Sequence, residues 1–269
     1  MIIGQNKINK EVTRIFDIFL NSNGKIRPHF IMTGPSGSGK TYITKELCAS
    51  KEIPFIEINA AQITKEGMSG NSLSKSLAPL QRYVDIPTVV FVDEWDKLYI
   101  SNNTNDSLAN EVTVGVQNEF LKILESEVTQ VFGDYGKYND VNVSKVLFVF
   151  AGAFNNEKEI DLDKLRKYGV KTEFLGRVGL IYNTEILSLE DLFEILENSK
   201  LLKDYMSLFK TVEREDVVKK IKSFIKENYT NNTVGARIIN TLLHQYFIKG
   251  GKIGFDDVKE VTFQNKMEL

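Results

Sequence analysis

At residues 34–41 the chain reads Gly34-Pro35-Ser36-Gly37-Ser38-Gly39-Lys40-Thr41, a complete G-x-x-x-x-G-K-[ST] phosphate-binding loop. The apolar run Phe30-Ile31-Met32 precedes the loop and predicts a short buried strand, and residues 42–48 after it predict a helix. In a strand, glycine loop and helix that follow one another in this way, several backbone N–H groups and the positive end of the helix point at one phosphate. A glycine-rich turn that binds nothing is the weaker alternative. The sequence therefore predicts a nucleoside triphosphate site here.

Two residues of this phosphate loop carry specific chemistry. Lys40 is expected to reach the terminal phosphates, and the hydroxyl of Thr41 is expected to bind Mg²⁺. Tyr42 directly follows and is grouped with the nucleotide-binding residues. The predicted cofactors are ATP and Mg²⁺.

An acidic pair, Asp93 and Glu94, ends the apolar β-branched run of residues 88–92. Such a run is typical of a central parallel strand that is buried on both faces. About fifty residues after a phosphate loop, the pair is a Walker-B pattern: Asp93 is expected to hold Mg²⁺ and Glu94 to polarise the attacking water. Solvated acids that merely cap a strand are the alternative interpretation.

Length and composition indicate a globular protein with one large α/β domain and a smaller one. The 269 residues are 42% hydrophobic and 26% charged, with a formal net charge of −2. A net charge this close to zero gives no electrostatic reason to expect that the protein binds nucleic acid or a membrane surface. The single cysteine, Cys48, fits a reducing setting, and no signal peptide or membrane-length apolar run is recognised. A cytoplasmic location is expected.

The apolar pattern changes near residue 188. Before it, short buried runs at residues 55–58, 88–92, 146–150 and 179–182 alternate with helical patterns, which predicts a doubly wound parallel sheet. After it, helical patterns at residues 189–209, 214–228 and 234–248 follow one another without strands. We expect a nucleotide-binding α/β domain over residues 1–187 and a small helical lid domain over residues 188–269.

Several motifs together, in order, resemble the AAA+ ATPases and, within them, the ClpX/HslU unfoldase group. The resemblance covers nearly the whole chain, and the motifs are specific in combination. They are Ile2-Ile3-Gly4-Gln5, similar to the IGQ box near adenine; Asp93-Glu94-Trp95-Asp96-Lys97, similar to DEIDK; residues 115–125; residues 144–154, similar to a strand that ends in GGAF; Glu173-Phe174-Leu175-Gly176-Arg177, similar to PEFxGR; and Gly235-Ala236-Arg237, similar to the GAR of the lid.

The resemblance implies further site residues. Ile3 is expected near the adenine, Arg237 as the sensor-2 residue that contacts phosphates in its own subunit, and Arg177 as the arginine finger that reaches the neighbouring subunit's nucleotide. A surface or ion-paired arginine is the alternative for both. A finger that acts between subunits implies a closed ring, and the family usually has six subunits.

The chain departs from the unfoldase pattern in places. Met68 and Ser69 stand where unfoldases carry an aromatic residue in the first pore loop, so Met68 either grips substrate weakly or lies in a plain surface loop. Residues 101–110 are a second pore loop or a simple connection, and only the weak candidate Asn155 offers a polar sensor-1 side chain. The peptidase-docking loop and the zinc-binding domain are not recognised, so no ClpP-type partner is expected.

Three functions remain open at the sequence level. The first is an ATP-driven ring that remodels or unfolds protein substrates. The second is a nucleic-acid motor or loader similar to RuvB or the clamp loaders. The third is a nucleotide-switched assembly scaffold.

Overall fold

The computed structural model describes residues 2–64, 70–99 and 107–254. The strands of these ranges are β1 (Phe30–Thr33), β2 (Phe55–Asn59), β3 (Ile63–Thr64), β4 (Asn71–Ser72), β5 (Thr88–Asp93), β6 (Val128–Phe132), β7 (Tyr138–Asn142), β8 (Val146–Gly152) and β9 (Leu180–Asn183). The helices are α1 (Asn6–Asn21), α2 (Lys40–Ser50), α3 (Leu73–Ser76), α4 (Ser107–Glu125), α5 (Leu162–Lys167), α6 (Thr172–Leu175), α7 (Leu189–Asn198), α8 (Lys200–Leu208), α9 (Arg214–Asn228) and α10 (Arg237–Ile248).

Five parallel strands form the central sheet in the order β2-β5-β8-β1-β9. All seven residues of β8 are buried, as are the first five of β5. Continuous burial is the property of parallel strands with helices on both faces, and it explains their apolar runs. The sheet, with helices in the C-terminal part, confirms the predicted α/β fold class.

Alternate residues of the sheet enter two separate hydrophobic cores. On one face, residues such as Phe30, Phe91 and Val149 pack with the apolar sides of α1 and α2. On the other face, residues such as Val90 and Phe150 pack with α4. The period of two along each strand produces this three-layer arrangement. It leaves the strand ends, where loops carry polar residues, open for a site.

An antiparallel hairpin, β6 with β7, precedes β8. Its first strand, β6, begins at Val128. The first strand is largely solvent-facing, with Val131 as its one fully buried residue. A strand with so little burial carries a weak apolar pattern, which is why β6 is not recognised from sequence.

The C-terminal helices α7 to α10 share a third hydrophobic core. The sequence predicts one helix over residues 189–209, but the structure breaks it at Ser199. Ser199 has extended backbone angles, and its hydroxyl accepts the N–H of Leu202, so it ends α7 and caps α8.

The chain divides into two compact units. The first unit contains Asn6–Pro35 and Lys40–Thr184. The second unit contains the chain from Glu185 onward and two short earlier segments, Ile3–Gln5 and Ser36–Gly39. Four residues of the phosphate loop thus group with the helical unit. None of the helices in the described ranges has the length and apolar character needed to span a membrane.

His29 lies just before β1 and is buried. Its Nδ1 accepts the backbone N–H of Phe148 at 3.0 Å. Burial, assisted by the charge of Arg27, lowers the pKa of His29 to about 3. A structural role therefore accounts for this histidine.

We expect His29 to make folding stability depend on pH. The unfolded chain protonates this histidine near pH 6.5 and the folded chain only near pH 3, so its contribution is complete above pH 6.5 and is lost as the pH falls through this window. Between pH 7 and pH 5 the free energy of unfolding is expected to fall by about 2 kcal/mol because of His29. Urea denaturation at both pH values measures it. His29→Gln keeps an acceptor for the N–H of Phe148, and its free energy of unfolding is expected to fall by about 2 kcal/mol less than that of the wild type over the same pH change. An equal fall in both proteins would contradict the assignment of this pH dependence to His29.

Candidate functional site: the phosphate loop and the acidic strand end

The phosphate loop connects the end of β1 to the start of α2. Gly34 and Gly37 have backbone φ angles of +124° and +71°, which residues other than glycine rarely adopt. A Cβ on Gly34 would lie 2.3 Å from the carbonyl oxygen of Thr184, and one on Gly37 would lie 2.0 Å from that of Val234. Both backbone conformation and close packing therefore require glycine at these two positions.

Gly34→Ala is expected to lower the free energy of unfolding by about 3 kcal/mol, because it adds a clash with Thr184 to an unfavourable φ. Gly136→Ala is the matched control, since Gly136 also has a positive φ (+72°) but no atom within 4 Å of an added Cβ. The control is expected to cost about 1 kcal/mol. Urea denaturation compares the two variants, and equal losses would show that the approach of Thr184 is unimportant.

The ammonium group of Lys40 lies against the loop itself. Its Nζ donates to the carbonyl oxygens of Gly34 and Pro35 at 2.6 and 2.9 Å. Thr41 follows in the first turn of α2 and is partly exposed. The first turn of a helix presents backbone N–H groups without intrahelical acceptors, and a cation beside it adds positive charge. The loop is therefore suited to phosphate oxygens.

Within the second unit, Arg237 lies beside Ser36. Its Nη1 donates to Ser36 Oγ at 3.1 Å, and the N–H of Ala236 donates to the carbonyl oxygen of Gly37 at 3.1 Å. The structure thus brings the start of α10 to Ser36 and Gly37 of the phosphate loop.

Gln5 is a residue of this region that sequence reasoning did not select individually. Its Nε2 donates to the carbonyl oxygens of Glu185 and Ser38 at 2.7 and 3.5 Å, and its Oε1 accepts the N–H of Glu185 at 3.1 Å. Ile3, expected near the adenine, is partly exposed two residues earlier. The signal was present, because Gln5 ends the segment that resembles the IGQ box.

The acidic pair lies at the carboxyl end of β5. Asp93 Oδ1 accepts the backbone N–H of Glu94 at 2.8 Å. Glu94 is exposed and has left-handed backbone angles, φ 53° and ψ 29°. A non-glycine residue in this region stores strain of about 1 kcal/mol or more, which is common at functional sites. The turn leaves the Glu94 side chain in solvent while the next residue, Trp95, is buried.

The acidic pair and the phosphate loop lie at the same edge of the sheet. Both β5 and β1 run parallel to β8, which lies between them, so their carboxyl ends point the same way. Ligands of open parallel sheets bind at this edge. The topology therefore places Lys40 and Thr41 on the same side of the first unit as Asp93 and Glu94.

The oxygen donors at this edge fit Mg²⁺. Across the described residues, no three His, Cys, Asp or Glu side chains gather into a metal-binding group. Mg²⁺ does not need one, because in nucleotide sites it takes one or two protein oxygens together with phosphates and water. The Thr41 hydroxyl and the Asp93 carboxylate are oxygen donors of this kind.

Arg177 lies at the opposite edge of the sheet. It precedes β9, whose first residue Leu180 pairs with Phe30, the first residue of β1. Its Nη2 is 3.1 Å from Glu125 Oε1, and the two side chains are 48% and 44% exposed. Both line an open cavity of about 620 Å³, together with His29 and other residues that precede β1.

Of the remaining predicted residues, the structure describes Tyr42 and Asn155. Tyr42 is half-exposed on α2, and partial burial, reinforced by Glu46, raises its pKa. Met68 and Ser69, the predicted pore-loop residues, lie outside the described residues, as does most of the 101–110 segment. Asn155 is exposed in a short turn after β8.

Comparisons with known proteins agree with this geometry. The model of the AAA family, the ATPase family associated with various cellular activities, matches residues 30–174, just over half of the chain. Two relatives carry the name ATP-dependent Clp protease ATP-binding subunit ClpX. The protein of Borrelia duttonii is 26% identical over 266 residues, covering 81% of this chain and 61% of the relative. That of Porphyromonas gingivalis is 27% identical over 228 residues, covering 68% and 55%.

A third relative, ClpX 2 of Wolinella succinogenes, is 30% identical over 217 residues, covering 68% of this chain and 55% of its own length. The aligned part of the chain thus spans between half and two thirds of these relatives. The family match covers β1, the phosphate loop and the acidic pair, and it ends within α6. The predicted ATPase is confirmed at this level: the chain belongs to the AAA family of ATPases.

Proposed function

We propose that this chain is a subunit of a ring-shaped, ATP-hydrolysing motor that remodels or unfolds protein substrates in the cytoplasm. The phosphate loop and the acidic pair supply the hydrolytic site of each subunit. The nearest neighbour in the ring supplies Arg177. The observation that carries this proposal is the position of Arg177 relative to the phosphate loop of its own chain.

The residues at the carboxyl edge take the following roles. Lys40 and the loop N–H groups hold the phosphates, and Thr41 and Asp93 hold Mg²⁺, which neutralises charge on the phosphate oxygens. Glu94 orients the attacking water and accepts its proton. Arg237 and Ile3 belong to the second unit. For them the proposal keeps the roles that the resemblance implies, which are contact with phosphates of the same subunit and a place near the adenine.

Arg177 is too distant for the nucleotide of its own chain. The four residues of β1 alone span about 13 Å, and Arg177 lies beyond one end of that strand while Lys40 lies beyond the other. Its guanidinium is half-exposed and already beside a carboxylate, so it can exchange Glu125 for another anion. An anionic phosphate presented by a second subunit fits this position.

A contact of this kind uses different surfaces on the two partners. Such a heterologous contact repeats until the ring closes. We infer a closed ring, with six subunits as the expectation from ClpX-like proteins. In this proposal residues 1–187 form the nucleotide-binding domain and residues 188–269 the lid.

The names of the relatives support a protein substrate rather than nucleic acid. They are ATP-binding subunits of a Clp protease. Between Phe154 and Glu173 this chain has only short turns and helices α5 and α6. This compact connection supports our proposal that the motor acts without a ClpP-type peptidase.

The test is the ATPase rate with candidate polymers added. We expect a permanently unfolded polypeptide to stimulate the rate, and single-stranded DNA to leave it unchanged. Stimulation by DNA alone, declining steeply with salt, would instead identify a nucleic-acid motor. ATP binding without turnover, unaltered by Glu94→Gln, would identify a nucleotide-switched scaffold.

A further inference from the structure

Trp95 is the single tryptophan of the chain and directly follows the acidic pair. It opens a short 3₁₀ turn, Trp95–Leu98, after β5, and its side chain is fully buried. Its ring contacts the ring of Tyr99, which directly follows this turn, with centroids 4.6 Å apart. A fully buried ring of this size restricts the side chains that pack against it.

The indole packs on the helix that leads to Arg177. Its ring is stacked on Phe174 of α6, with centroids 5.0 Å apart and planes 23° apart. The carbonyl oxygen of Phe174 accepts the backbone N–H groups of Arg177 and Val178, both at 2.9 Å. The Arg177 backbone is therefore hydrogen-bonded to a residue whose ring packs between Trp95 and Phe150.

The same aromatic cluster contacts a strained turn after β8. Phe154, Asn155 and Asn156 all have positive φ, between 44° and 59°, and Phe154 lies 6.0 Å from the Trp95 ring. The neighbouring Asp96 accepts the N–H of Phe154 at 3.1 Å. Conformations of this kind persist only where their surroundings hold them. Trp95 thus follows the left-handed Glu94 directly and packs against both the strained turn at residues 154–156 and α6.

We propose that Trp95 is a positioning residue for Arg177. By packing on Phe174 it holds the guanidinium where a neighbouring subunit's nucleotide can meet it. This inference rests on the proposed function of Arg177. It assigns to Trp95 no contact with nucleotide.

Trp95→Leu is expected to lower ATP turnover about 10- to 100-fold, because displacement by about 1 Å is costly for a group that stabilises a transition state. ATP affinity is expected to stay within about twofold, since the phosphate loop is not altered. Trp95→Phe keeps an aromatic ring against Phe174 and is expected to retain most of the turnover. The control is Phe91→Leu, because Phe91 is a fully buried aromatic of β5, the strand before Trp95, and packs in the opposite core. It is expected to retain wild-type turnover.

Mixed rings separate a displaced finger from a damaged site. Glu94→Gln subunits have a dead site and an intact Arg177, so mixing them with Trp95→Leu subunits is expected to restore turnover. Arg177→Ala subunits have an intact site and no finger, so mixing them with Trp95→Leu is expected to restore nothing. Rescue by Arg177→Ala, or no rescue by Glu94→Gln, would overturn the positioning role.

The failure of this inference is distinguishable from failure of the proposed function. If Arg177→Ala lowers turnover and Trp95→Leu does not, only the positioning role is wrong. If Arg177→Ala itself hydrolyses ATP at the wild-type rate, the shared site is wrong.

Discussion

Replacing Arg177 by alanine is expected to lower ATP turnover by about a thousandfold while ATP affinity changes less than about twofold. In the proposed shared site the guanidinium comes from a neighbouring subunit and stabilises charge that develops on the transferred phosphoryl group. ATP binding in the subunit's own phosphate loop therefore does not need it. Steady-state turnover and equilibrium titration with a fluorescent nucleotide measure the two quantities.

Arg166→Ala is the matched control for this change. Arg166 is also an exposed arginine of the first unit with a carboxylate partner, Asp163, at 2.6 Å. Surface ion pairs of this kind contribute little to stability, so the control is expected to behave as wild type. If the two variants were equally active, Arg177 would be an ordinary surface arginine.

Glu94→Gln is expected to lower turnover by about a hundredfold or more, with ATP still bound. The amide has nearly the shape of the carboxylate but cannot accept a proton from water. Glu52→Gln is the control, because Glu52 is also an exposed glutamate with left-handed backbone, φ 56°, in a turn after α2. Single-turnover hydrolysis isolates the chemical step. An equal loss of turnover in Glu94→Gln and Glu52→Gln would contradict a catalytic role that is specific to the Glu94 carboxylate.

The local parts of this structure could be predicted from sequence. The phosphate loop has its own glycine pattern, and the buried strands β5 and β8 have continuous apolar runs. The order of the strands could not be read, because β8 inserts between β1 and β5 through pairing of distant residues. The break at Ser199 was missed because the apolar pattern continues across it.

The parts of the site that depend on distant contacts were predicted by resemblance or not at all. Arg237 reaches Ser36 across 201 positions of the chain, and no periodicity signals such a contact. Arg177 was selected by resemblance alone, and the structure adds its position at the far edge of the sheet. Trp95 carried no sequence signal for its contact with Phe174, because aromatic stacking depends on the tertiary fold.

The most direct test of a nucleotide site shared between subunits is ATP turnover per chain, measured over a range of protein concentrations with the assembly state followed by sedimentation. We expect turnover per chain to rise with the assembled fraction and to approach zero where sedimentation shows monomers only. Constant turnover per chain, from the assembled protein down to the dilute monomer, would contradict the account.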